Sequence, residues 1–314
     1  MVSRPQIAVS AAGGLGSLQQ TRSRVGEKLI RAVLVAAAAV SILTTFGIVI
    51  SVVVPTIEFF SEVSVTDFLF GTVWTPLFAD GQFGVLPLVT GTLVITAIAV
   101  VVALPLGLGA AVYLSEYASD RSRRVLKPTL ELLAGIPTVV FGFFALEFVT
   151  QMLLVRIFPD IDIFNALSAG LVMGVMIIPT IASLSEDAMA AVPSGLRDGS
   201  YALGSTKRQT AMKVVIPAAL SGIVAAFVLG ISRAIGETMI VTIAAGLEPN
   251  LSLNPLQGMQ TMTSYIAAAG SGDLSTGSIE YKSIFAVGFL LFVMTFLMNM
   301  VSIRLVRRYR QAYQ

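Results

Sequence analysis

Residues 32–57 run without one charged side chain, and no other feature limits the fold so strongly. A helix rises 1.5 Å per residue, so about 20 apolar residues cross the hydrocarbon core of a bilayer. Residues 81–115, 163–185 and 283–303 are likewise free of charge. Two further apolar segments are interrupted, 132–155 by Glu147 and 214–247 by Arg233 and Glu237. These runs are continuous instead of alternating apolar and polar side chains, which excludes the strands of a transmembrane barrel. The expectation is an all-α membrane protein with six transmembrane helices. The charged share of 12%, against roughly 25% in soluble domains, agrees with it.

Six crossings place both termini on one side. Seventeen of the twenty lysines and arginines fall in the N-terminal segment, in 115–130, in 186–213 and at the C-terminal end, all on one face. By the positive-inside rule, that face is cytoplasmic. The opposite loops hold mostly acids, among them Glu58, Glu62, Asp67, Asp80, Glu248, Asp273 and Glu280. Trp74 and Phe78 suit the outer interface. Residues 1–28 lack a short apolar core followed by a small-residue cleavage site, and read as a flexible cytoplasmic tail instead of a signal peptide. Residues 29–308 carry the spans, and 309–314 form a cytoplasmic end.

The chain has no cysteine and no histidine. Thiol nucleophiles, disulfides, most zinc sites, Ser/His/Asp triads and imidazole relays are thereby excluded. No G-x-x-x-x-G-K-[ST] phosphate loop occurs either, since "LGSTKR" at 203–208 lacks the first glycine at the required distance. Energy for any pumped transport has to come from a partner that binds ATP, and no cofactor of the chain's own is expected.

Arg233 and Glu237 are the most discordant residues in the chain. A charge at the bilayer centre costs about 2.5–3.5 kcal/mol on insertion scales, so it should face protein or water and have a partner. Their spacing of four suggests one helix face. One reading is an intrahelical ion pair that neutralises itself, although acid before base is the favoured order for such a pair and here the base comes first. The other is a contact to a passing oxyanion, which the planar guanidinium fork suits. Pro105, Pro137 and Pro179 fall inside the second, third and fourth spans, as tolerated kinks or as breaks that shape a pathway. Glu131 and Glu147, near opposite ends of the third span, read as snorkelling or interhelical contacts. Arg121, Arg123 and Arg124 read as topology signals and lipid-headgroup contacts. Without aromatic interleaving they do not suggest nucleic acid. Glu186 and Asp187, being adjacent, point in different directions.

The inner segment 186–217 is longer than a connection needs and reads as two short helices with a hard turn. Ser194 can cap the first and Gly204 end it. Thr206 with Gln209 matches a capping box for the second, and Pro217 starts the next span. Such helices are either a solvated amphipathic loop or a surface that packs on another protein.

Inner-membrane subunits of ABC importers carry in their last long cytoplasmic loop a pattern of Glu-Ala-Ala, three residues, Gly, nine residues, then Ile-x-Leu-Pro. This chain has Asp198-Gly199-Ser200, three residues, Gly204, nine residues, then Val214-Val215-Ile216-Pro217. It departs from the pattern at the first three positions. "SRAIGETM" (232–239), "YLSEYA" (113–118), "RVLKPTLELLAGIPTVVFG" (124–142) and "SYALGSTK" (200–207) together resemble the phosphate-specific permeases of bacterial ABC importers, the PstC-type more than the PstA-type, over about 29–308.

The resemblance implies a type I importer permease fold in the bacterial inner membrane. It also implies coupling helices at 186–217 that engage an ATPase, and importance of Arg233 and Glu237 for phosphate passage. Implied partners are a PstA-type sister permease as heterodimer, two copies of a cytoplasmic ATPase that binds the ATP, and a periplasmic phosphate-binding protein docking on the outer loops. In the expected mechanism Arg233 touches the anion, and Glu237 holds the guanidinium when the site is empty. A permease for another oxyanion such as molybdate or sulfate shares the loop pattern. An ion-coupled secondary transporter would need internal repeats, which are not evident, and a membrane enzyme would lack the usual catalytic groups.

Overall fold

The structure, a computed structural model, describes residues 25–78 and 80–309. The expected tail 1–28 therefore lies almost wholly outside the described residues, as does nearly all of 309–314. The chain divides after Ile50 into two units. The first contains the N-terminal part of α1 (Val25–Glu62), where nearly every described side chain is exposed. The second, from Ser51 onward, holds α2 (Val65–Phe70), α3 (Leu86–Tyr117), α4 (Asp120–Ala134), α5 (Thr138–Ile157), α6 (Ala166–Ala190), α7 (Ser194–Ala202), α8 (Lys207–Ala218), α9 (Leu220–Ile235), α10 (Met239–Ala244), α11 (Met262–Gly270) and α12 (Ile279–Tyr309). Among the described residues there is no strand, only an isolated bridge between Trp74 and Phe83.

Among the described residues five helices (α1, α3, α5, α6, α12) are long and apolar enough to cross a membrane, and the number rises to six if the bent pair α8–α9 is counted as one broken span. The expected third span shifts. Residues 132–134 belong to α4, an amphipathic helix with no buried residue whose first turn is capped by Ser119. Pro137 occupies the N-cap of α5 and is not inside it; of the three expected prolines, Pro105 and Pro179 sit within their spans. The last turn of α3 (Tyr113–Tyr117) and most of α5 (Phe144–Leu154) are wound as π-helix, so Glu116 and Glu147 both lie in widened turns.

Helix α6 is the innermost. Asn165 starts it, accepting the Ser168 N–H at 2.7 Å and donating to Thr150 Oγ1 at 3.1 Å. Its core face, with Met173, Met176, Ile177 and Ile181, packs on Ile95, Ala99 and Ala103 of α3. Small residues let the two backbones approach closely, as is usual where lipid supplies no hydrophobic drive between helices. A Cβ on Gly170 would come within 2.7 Å of Ile98 Cβ. On Gly174 it would lie 2.8 Å from Val102 Cβ and 3.0 Å from the Ala99 carbonyl, and on Gly107, 2.7 Å from Ile181 Cγ2. A second cluster, at the end of the bundle away from the 186–217 loop, joins Phe59, Phe68, Trp74, Leu88 and Tyr265. A third, at the loop end, joins Ala111, Met189, Val192, Val215 and Ile223.

Candidate functional site

The fifth apolar segment does not form the single helix expected over 214–247. Helix α8 bends by 72° into α9 at Ala219; Pro217 lies in the short turn before the bend, so the crossing starts at Leu220 and not at the proline. The helix ends again at Ile235, Gly236 forms its C-cap, and α10 restarts at Met239. Arg233 and Glu237 are therefore on opposite sides of a helix break, not on one continuous helix face, and among the described residues no ion pair joins them.

Each charge instead finds neutral partners, a side-chain hydroxyl for Arg233 and backbone N–H groups for Glu237. Arg233 lies in the last turn of α9, where the helix dipole favours a cation. It is half-buried, and Nη1 donates to Thr180 Oγ1 at 3.1 Å, beside Pro179 of α6. Glu237 is buried, and its Oε1 accepts the N–H groups of Met239 (3.1 Å) and Ile240 (3.3 Å), which open α10. A carboxylate there satisfies orphan donors and complements the positive helix end. The Glu237 carbonyl accepts the Thr263 hydroxyl at 2.6 Å, tying the break to α11. Glu237 with Thr92, Thr96, Thr261 and Thr263 lines a cleft too narrow to admit water. The geometry thus replaces the expected clasp of Arg233 by Glu237 with a cap, and leaves most guanidinium donors of Arg233 without a protein acceptor among the described residues.

The loop forms the two expected helices. Ser194 is the first helical residue of α7 and not its cap, because Pro193 occupies that position and has no side-chain acceptor. Gly204 takes φ +81°, a left-handed turn that favours glycine. Thr206 and Gln209 form the capping box of α8. Of the residues matched to the coupling pattern, Asp198, Gly199, Gly204 and Pro217 are exposed, and Val214 and Ile216 are half-buried. Ser200 is turned inward, bonding Thr210 Oγ1 at 2.9 Å.

The ionic contacts that fasten this loop end were not legible as such. Glu186, fully buried, accepts from Arg123 and, at 2.6 Å, from Lys127, which also reaches Asp187 at 2.8 Å. The adjacent carboxylates thus converge on one lysine despite pointing apart. The hydrogen bond to Asp187, followed by that to Glu186, holds the Lys127 ammonium above its ordinary 10.5, against the opposing effect of burial. Arg197 of α7 donates to Glu116 Oε1 at 3.0 and 3.3 Å and to the carbonyls of Val192 and Met189 at 2.7 and 2.8 Å. The available signals were a carboxylate placed directly after the charge-free run 81–115, and the only basic residue of α7.

Apolar helices broken beside an arginine, with a helical loop held outside the bundle, define the membrane-embedded subunit of a transporter. More particularly, the chain belongs to the family of binding-protein-dependent transport system inner membrane components, which matches residues 103–312. It is 37% identical over 85% of its length, and 86% of the relative's, to a probable ABC transporter permease protein, YqgH, of Bacillus subtilis. It is also 33% identical to the phosphate transport system permease protein PstC of Mesorhizobium japonicum, covering 75% of this chain and 76% of that one. A further relative, phosphate transport system permease protein PstC 1 of Mycobacterium tuberculosis, is 35% identical over 72% of this chain and 73% of its own.

Solved structures share the fold. A bacterial alginate ABC transporter in complex with a pentasaccharide-bound periplasmic protein superposes with TM-score 0.62 at 16% identity, over 91% of this chain and 98% of that chain. The inward-facing MetNI methionine ABC transporter gives 0.55 at 22%, over 73% and 95%. The fold is that of a type I ABC importer permease. The chain is a multi-pass inner-membrane protein that does not itself catalyse a reaction, and its family works with an ATPase, a substrate-binding protein and a second permease.

Proposed function

We propose that this chain is the inner-membrane permease subunit of an ATP-driven importer of inorganic phosphate, forming half of the translocation pathway with a PstA-type sister. The observation that carries the reading is Arg233. It is a half-buried guanidinium at a helix break inside the bundle, held by one neutral hydroxyl, with no carboxylate partner among the described residues. Such a group offers a fork to a tetrahedral oxyanion. A single short-lived contact suits a transported ion, which must also leave. The names of the PstC relatives support phosphate as the cargo.

The remaining roles follow from this reading. Termini and α7–α8 are cytoplasmic, and α7–α8 dock on two copies of an ATPase that binds the ATP, Asp198, Gly199 and Gly204 being exposed to it. A phosphate-binding protein delivers the anion to the outer loops, where a cavity of about 190 Å³ opens between the Trp74–Phe78 segment and Leu247, Gln260 and Tyr265. Those loops are acidic, so anion selection belongs to the binding protein.

The test is ATP-dependent uptake of labelled phosphate into vesicles holding the chain with its sister permease, ATPase and binding protein, with sulfate and molybdate as competitors. Uptake that needs ATP and ignores both competitors is the expected result. Competition by either, or uptake without ATP, overturns the reading.

A further inference from the structure

The Arg197 guanidinium joins three elements at one point. It sits on α7, the helix that the proposed function places against the ATPase. Two of its nitrogens hold Glu116 in the π-turn ending α3, and two carbonyls it engages, Met189 and Val192, close the C-terminus of α6 and the turn after it. Glu116 is buried, its carboxylate additionally taking the Ser115 hydroxyl at 3.0 Å. Helices α3 and α6 are in turn locked along the glycine seam, so whatever displaces this junction displaces both.

The other attachments of α7 differ in kind. Leu196 packs softly against the apolar cluster of Met189, Val192 and Val215, and the Ser200 to Thr210 bond links α7 only to α8. The outward side of α7 is free, with Leu203 beyond its end among the most exposed apolar side chains. A buried ion pair contributes little net stability compared with apolar residues of the same shape, and its best-attested use is to fix one geometry. Here the geometry fixed is that of a loop helix relative to two membrane helices.

We propose that the Arg197–Glu116 pair is the joint through which movement of α7 reaches α3 and α6, making both positioning residues for transport and neither a contact to the cargo. This rests on the reading of α7–α8 as the ATPase-docking loop. Without the joint, ATP is spent while the bundle fails to follow.

The experiment uses the complete complex in vesicles, with phosphate as the probe, and measures ATP hydrolysed against anion delivered for R197M, R197K and E116Q. The expected result is that all three co-purify with their partners and that the ratio of ATP to anion rises about tenfold in R197M, within the range of typical coupling energies. R197K, which keeps the charge without the fork, and E116Q, which keeps an acceptor oxygen, should rise less. If R197M does not assemble, the two conservative variants decide. An unchanged ratio, whether uptake is normal or falls in step with hydrolysis, overturns the proposal. Wild-type vesicles that take up sulfate or molybdate instead would refute the phosphate reading alone, because the ratio is then measured with that anion.

Discussion

Substituting alanine at Gly174 tests the seam between α3 and α6 with the smallest possible change. The added carbon would sit 2.8 Å from Val102 Cβ and 3.0 Å from the Ala99 carbonyl. The first contact is closer than such carbons tolerate, and the second is with a backbone atom that cannot rotate away. Overpacking of this kind costs about 1–3 kcal/mol, against which alanine recovers roughly 1 kcal/mol of helix propensity. The net is a loss of about 0–2 kcal/mol. Gly109, on the exposed side of α3, has nothing within 4 Å of an added carbon, so Gly109→Ala keeps the propensity gain of roughly 1 kcal/mol without a clash. The two variants should therefore differ by about 1–3 kcal/mol, with Gly109→Ala the more stable. Unfolding of the purified chain in mixed micelles, titrated with denaturing detergent and followed by circular dichroism, measures the difference. Should Gly174→Ala prove as stable as Gly109→Ala, close backbone approach is not what holds these helices together.

Glu237→Gln keeps an acceptor oxygen for the Met239 and Ile240 amides and should retain most uptake, whereas Glu237→Ala should lose uptake and about 0.5–2 kcal/mol of stability, as for a lost helix cap; equal loss in both would mean that the negative charge, not the cap, matters. Arg233→Gln should abolish phosphate uptake while the complex still co-purifies, and Thr180→Val, which removes the hydroxyl 3.1 Å from Arg233, should lower uptake without abolishing it. Removing Lys127 alone leaves Glu186 paired with Arg123, so the double substitution of Arg123 and Lys127 should exceed the sum of the singles, approaching the roughly 3–5 kcal/mol of an uncompensated buried charge. Because the Lys127 pKa is raised, its link to Glu186 and Asp187 is fully present below the ordinary 10.5 and is lost only as pH climbs through the higher folded value; thermal stability that drops between neutral pH and that point would need another titrating group.

The spans were legible because lipid admits only backbone that satisfies itself, so uninterrupted apolar length maps directly onto helices. The capping box at Thr206 and Gln209 was legible for a similar reason, since both halves of the motif lie within one turn. The break at Gly236 was not. Spacing of four implies a shared face only where the helix continues, and nothing in residues 233–237 announces that Glu237 spends its carboxylate on the next helix. The loop-end ion pairs were invisible for a different reason: Arg197 and Glu116 lie 81 positions apart, and charge alone does not say which acid a base will find.

The 72° corner at Ala219 gives α9 the character of a lever pivoted at the loop end. Arg233 lies 14 residues beyond the corner, which at 1.5 Å per residue is an arm of about 21 Å. A rocking motion of about 5° at the pivot therefore carries the guanidinium about 2 Å, enough to part it from Thr180 and present it elsewhere. Little has to happen in the membrane for the arginine to change its neighbour, and a stroke of that size at the loop is magnified, not absorbed, by a straight helix.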